Sequence, residues 1–237
     1  MGGDIPAPDH SPLNIGLILS CVATFILTAA FNAVAGSGVG VGSVFYSTVG
    51  DISDKYQLYI TPAGEIYSKV RHYDQSTGFA GVTFAIWTLI YLWLALSLLF
   101  FVVTIFIKTE FGRLYLSPHI LTPTVTATLS LNFILNLAWI FVWDTSYVNE
   151  NLTILACFVL IFIAITNVLV ILFMCKNLGK HSHEFQRGGR LFWWGALYRF
   201  VLNGLAIYTV WTVIASLINI ATALVYAGGV GSSHLDD

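Results

Sequence analysis

Residues 78–107, GFAGVTFAIWTLIYLWLALSLLFFVVTIFI, contain no charged residue and no proline. As an α-helix this stretch would be about 45 Å long, against about 30 Å for the hydrocarbon core of a bilayer. A chain of 237 residues cannot surround such a segment with its own apolar atoms. The stretch therefore predicts a transmembrane helix, tilted or projecting past the lipid. Composition supports the same reading for the whole chain. Only 9% of its residues are charged, where a soluble domain carries about 25%. Mean hydropathy is +0.81. The expectation is an all-α, polytopic membrane protein.

Hydropathy and turn residues divide the chain into five spans and a single membrane domain, with no internal repeat. The spans are expected at about residues 13–35, 78–107, 119–143, 152–175 and 200–226. Ser11-Pro12 is a helix start, and the glycine-rich run from Gly36 ends the first span. Pro123 falls in the first turn or so of the third, where proline is tolerated. Between the first two spans lies a long polar loop, residues 36–77. Its tyrosines and isoleucine (Tyr46, Tyr56, Tyr59, Ile60, Tyr67 and Tyr73) favour an ordered lid over a linker. The aromatic run at residues 191–199 is expected at the membrane interface, ahead of the last helix. The N-terminal residues have neither a basic region nor a cleavage site before the first apolar run, so they read as a tail rather than a signal peptide.

Lysine and arginine set the orientation. Seven (Lys108, Arg113, Lys176, Lys180, Arg187, Arg190 and Arg199) fall on one side of a five-span chain, and three (Lys55, Lys69 and Arg71) on the other. The positive-inside rule puts the N-terminus in the cytosol, with the long loop and the C-terminus on the far side. Asn151-Leu152-Thr153 is a glycosylation sequon on that far side, which leans toward an endomembrane or plasma-membrane location. With net charge −2 and no basic run suited to it, nucleic-acid binding is not expected.

No Asp, Glu, Lys or Arg stands inside the expected spans. This argues against a proton relay or a charged ion path, and against acid–base catalysis in the membrane. The three cysteines and the His181-Ser182-His183-Glu184 cluster do not have metal-site spacing, so no metal and no enzymatic role is expected. What the spans carry is asparagine (Asn32, Asn132, Asn136, Asn167, Asn203, Asn219) in register with aromatic rings. Phe84, Trp87 and Tyr91 share one face of the second span. Asn132, Asn136, Trp139 and Trp143 share a face of the third, and Tyr208, Trp211, Ala215 and Asn219 a face of the fifth. Turned inward, three such faces would line a cavity for a flat, apolar, conjugated molecule. The competing expectation is that these rings and amides are interfacial belts and interhelical glue.

The same residues carry a resemblance. AGVTFAIWTLIY at residues 80–91 is similar to the P-P-G-W-x-F-x-x-x-W-T-x-L-Y signature of helix two in the TspO family, the translocator or tryptophan-rich sensory proteins. LNLAW at residues 135–139 resembles the family's L-N-x-x-W in helix three. YTVW at residues 208–211, with Asn219 eight positions on, resembles its P-Y-L-x-W…L-N pattern in helix five. The chain departs from the pattern where Val82 replaces the signature tryptophan, where Ile207 replaces a proline, and in its long first loop. It therefore resembles a divergent eukaryotic branch. The resemblance implies a five-helix TspO-like bundle that binds, and transports or senses, a tetrapyrrole or sterol, and it allows the mitochondrial outer membrane. The aromatic lining alone equally suits a carotenoid, another polyene or another lipid. The alternative is a structural or assembly subunit whose tryptophan faces dock on a membrane-protein partner or a second copy.

Overall fold

The computed structural model describes residues 10–39, 41–47, 58–60, 66–68, 79–109, 111–187 and 189–228, with side chains omitted at 58–60, 66–68 and 79–85. Six helices are present among them: α1 (Pro12–Ser37), α2 (Phe79–Phe106), α3 (Pro123–Ser146), α4 (Leu152–Lys180), the short α5 (Ser182–Arg187) and α6 (Leu191–Tyr226). Two antiparallel hairpins complete the order, β1 (Leu58–Ile60) with β2 (Ile66–Ser68) and β3 (Lys108–Thr109) with β4 (Gly112–Arg113). The five long helices are each long and apolar enough to cross a membrane.

Local chemistry sets several helix ends. Ser11 Oγ accepts the Asn14 amide at 3.4 Å, Pro12 occupies the first turn, and α1 ends at Gly38 in the left-handed region (φ 73°). Thr122 does the same for α3 by accepting the Val125 amide, with Pro123 next. Such caps satisfy orphan amides and contribute about 1 kcal/mol each. The last helix begins earlier than hydropathy suggests: residues 191–199 are its first turns rather than a segment ahead of it. Leu191, Gly195 and Tyr198 are buried, and this 3–4 spacing draws the aromatic run into the helix.

The spans form a ring in the order α1–α3–α4–α6–α2, with α1 and α2 in light contact closing it. Lipid offers apolar side chains no solvent to escape, so close packing and interhelical hydrogen bonds hold such a bundle. The bonds can be followed seam by seam. Thr28 Oγ1 donates to Phe133 O (2.9 Å) between α1 and α3. Asn132 Nδ2 donates to Ile163 O (2.9 Å) and Thr166 Oγ1 (2.7 Å) between α3 and α4. Asn167 Nδ2 donates to Thr212 Oγ1 (3.3 Å) between α4 and α6. Trp93 Nε1 donates to Phe200 O (3.1 Å) between α2 and α6. Among the described residues, no hydrogen bond runs directly from α1 to α2.

Candidate functional site

The α1–α2 seam, unbonded among the described residues, is open. A cavity of about 550 Å³ lies there, walled by Phe25, Ala29, Asn32, Ala33 and Gly36 of α1, by Trp87, Thr88, Tyr91, Leu92 and Ala95 of α2, and by Trp139 of α3. The small residues of α1 create the space. Ala29, Ala33 and Gly36 follow one another at three- and four-residue steps, so one face of α1 has no bulk to fill the gap. The cavity sits toward the C-terminal end of α1 and the N-terminal half of α2, the end of the bundle from which the first loop departs.

Its inner wall is a stack of rings. Trp87 lies parallel to Tyr91 (5.6 Å between centroids) and to Trp139 (6.4 Å). It meets Tyr208 and Trp211 edge-on at 6.2 and 6.1 Å. Trp139 in turn stacks on Trp143 at 5.9 Å. Behind the rings, Asn136 joins four helices: Nδ2 donates to the Tyr208 hydroxyl (2.9 Å), while Oδ1 accepts from Tyr91 Oη (3.2 Å) and Asn32 Nδ2 (3.2 Å). Among the described residues the buried indole N–H of Trp139 has no hydrogen-bond partner, nor does that of Trp211. An unpaired buried donor is costly, and neither indole N–H is exposed to the cavity.

The three aromatic faces expected to surround one central space instead meet ring to ring, and the void lies beside them. Trp87, Tyr91 and Trp139 line it. Asn136 and Tyr208 stand one layer behind, fully buried. Trp143 is covered by Trp139. Trp211 borders a second, smaller groove of about 290 Å³ between α2 and α6. Ala215 and Asn219 are not in the cavity wall; Asn219 Nδ2 bonds back to Ala215 O (3.2 Å). Asn132 is turned away altogether, since one turn from Asn136 it faces α4. The helical angle alone does not separate the two amides; one turn along α3, the partners within reach of Asn132 are Ile163 O and Thr166 Oγ1 of α4. The side chain of Phe84 lies outside the described residues. Phe25, Ala29, Asn32 and Ala33 were not among the expected wall; the Phe25–Ala29–Asn32 spacing on α1 could have indicated them.

A second feature was hidden from hydropathy. Asp144, expected in the loop after the third span, is in the last turn of α3 and 4% exposed. Its carboxylate accepts the backbone amides of Tyr46 (3.0 Å) and Ser47 (3.1 Å). Phe45 lies beside it, stacked on Phe141 (5.4 Å) and edge-on to Phe31 (6.5 Å). Residues 41–47 are thus strapped over the ends of α1 and α3. Residues 40, 48–57, 61–65 and 69–77 of the expected lid lie outside the described residues. Asn151 is exposed at the start of α4, while the sequon hydroxyl of Thr153 is buried and donates to Glu150 O (2.7 Å). His181 Nδ1 is paired with Glu184 Oε1 at 2.8 Å.

The family model of the TSPO-like protein matches residues 71–235, which take in α2, α3, α4 and α6. The chain belongs to the TSPO-like family. It is an integral, multi-pass membrane protein with the five-helix, all-α architecture that the sequence resemblance implies. The match begins after α1, so the α2 and α3 walls of the cavity lie within it and the α1 wall outside it. No curated protein and no solved structure matches the chain.

Proposed function

We propose that this TSPO-like protein binds a flat, apolar small molecule in the α1–α2 cavity. The observation that carries this reading is the wall itself: stacked Trp87, Tyr91 and Trp139 on one side and small Ala29 and Ala33 on the other, enclosing about 550 Å³. Ligand pockets run from about 300 to 1,000 Å³, with apolar and aromatic linings and few polar groups. Ring faces offer stacking, and Asn32, whose Nδ2 already donates to Thr28 O and Asn136 Oδ1, offers its side-chain oxygen for orientation. The ligand class is a tetrapyrrole, sterol, carotenoid or similar lipid. Binding of this kind is the step that transport and sensing share. The N-terminus is cytosolic in this reading, and the cavity opens in the half of the bundle nearer the opposite face.

The test is to purify the protein from its native membrane in mild detergent, record its absorption spectrum and analyse an organic extract by mass spectrometry. Ala29→Phe, which fills the cavity from α1, is run beside it. A stoichiometric chromophore or lipid present in the wild type and lost in Ala29→Phe, with the thermal transition retained, supports the reading. A wild-type protein that holds no small molecule and shows no spectral change with porphyrin, sterol or carotenoid overturns it, and leaves the assembly role ahead.

A further inference from the structure

The end of the bundle formed by the last turns of α4, by α5 and by the first turns of α6 concentrates positive charge. Lys176, Lys180, Arg187, Arg190 and Arg199 are all exposed. Among the described residues none of the five is in a salt bridge, and the one carboxylate in this region, Glu184, is held by His181. These residues stand on or at the ends of packed helices rather than in a loose loop. Phe185 of α5, 5% exposed, packs against Gly195 and meets the ring of Tyr198 at 6.2 Å. Tyr198 is in turn edge-on to Phe100 of α2 at 5.1 Å, which pins the hairpin to the bundle.

Helix length places this surface at the level of lipid headgroups. The uncharged part of α6, residues 200–226, is about 40 Å long and spans a bilayer core without help. Arg199 marks its boundary, so the preceding turns lie in the interface. The exposed rings agree: Trp193 is 70% and Phe192 56% exposed, beside the cations. An indole with apolar body and polar edge is stabilised at that depth. Five unpaired cations beside interfacial aromatics are complementary to a negatively charged headgroup rather than to a zwitterionic one.

We propose that the α4–α5–α6 end is a binding surface for anionic phospholipid headgroups, separate from the α1–α2 cavity. Clusters of four or more Lys and Arg next to a transmembrane helix attract such lipids, and the attraction falls off within a Debye length.

The test uses the full-length protein in mild detergent. It is mixed with equal amounts of phosphatidylserine and phosphatidylcholine of identical acyl chains and repurified, and the retained lipids are quantified by mass spectrometry. The wild type is expected to retain the serine lipid over the choline lipid by at least about threefold at about 0.1 M salt, falling toward parity near 1 M. Lys176→Gln/Lys180→Gln/Arg187→Gln/Arg190→Gln should lose the preference with its thermal transition intact, and Glu184→Gln should strengthen it. If the fourfold variant does not fold, Arg190→Gln alone must lower the ratio. Equal retention by the wild type, a preference unchanged in these variants, or displacement of the lipid by inorganic phosphate would each overturn the proposal. Because the two lipids share acyl chains, occupancy of the cavity does not bias the ratio.

Discussion

Asn136 of α3 donates its amide to the Tyr208 hydroxyl of α6 at 2.9 Å, and its other side-chain atom accepts from Tyr91 of α2 and Asn32 of α1. One side chain therefore ties four helices at the base of the cavity. Interhelical hydrogen bonds in lipid contribute about 0.6 kcal/mol each on average, so Asn136→Ala should cost about 2 kcal/mol and Tyr208→Phe about 0.6. Unfolding in mixed micelles measures both. A double-mutant cycle should show that the two losses are not additive.

Gly204 is required where Trp93 crosses α6. A Cβ there would overlap the Trp93 ring, which also stacks on Phe200 at 4.8 Å and donates to its carbonyl. Gly204→Ala should push α2 away from α6 and destabilise the bundle by about 1–3 kcal/mol. Adding Trp93→Ala should recover part of that loss. A Gly204→Ala protein as stable as the wild type would rule out this close approach.

Asp144 holds the strap over the helix ends. Asp144→Ala leaves the Tyr46 and Ser47 amides without their acceptor, at a cost of about 1–3 kcal/mol if they stay buried. The strap should release instead, raising hydrogen exchange at those two amides and proteolysis within residues 41–47, while exchange in α4 stays unchanged. Asp144→Asn, which keeps one acceptor oxygen, should release it less.

His119 lies in the turn before α3. Its pKa is lowered from the usual histidine value by partial burial first, then by the neighbouring His181 and Lys180. A histidine with a depressed folded pKa is neutral where its unfolded form already binds a proton. Its contribution to stability is therefore present above about pH 6.5 and declines as pH falls from there toward the folded pKa. Lys180→Gln should raise the His119 midpoint, read by NMR titration of the ring. His119→Gln should flatten the stability profile in that window.

The five spans were legible because hydropathy is a property of the chain in one dimension: an uncharged run such as residues 78–107 has few places to go but lipid. The ring-bearing faces were legible too, since a 3.6-residue period assigns Trp87 and Tyr91 to one face before any partner is known. What that period leaves open is the distance to the facing helix. Trp87, Trp139 and Trp211 could have surrounded a void or filled one, and interhelical separation decided that they touch.

Sequence by itself determined that this chain is a multi-pass helical membrane protein, which rings share a helix face, and which family it resembles. Tertiary structure alone decided that the open space lies at the α1–α2 seam, that Asn132 serves α4 while Asn136 serves the ring stack, and that Asp144 is buried against residues 46 and 47. The physical reason is the same in each case. Helix formation and membrane insertion depend on local composition, whereas a cavity, an amide's partner and a carboxylate's burial depend on atoms from 31 to 104 residues apart, which only close packing brings within bonding distance.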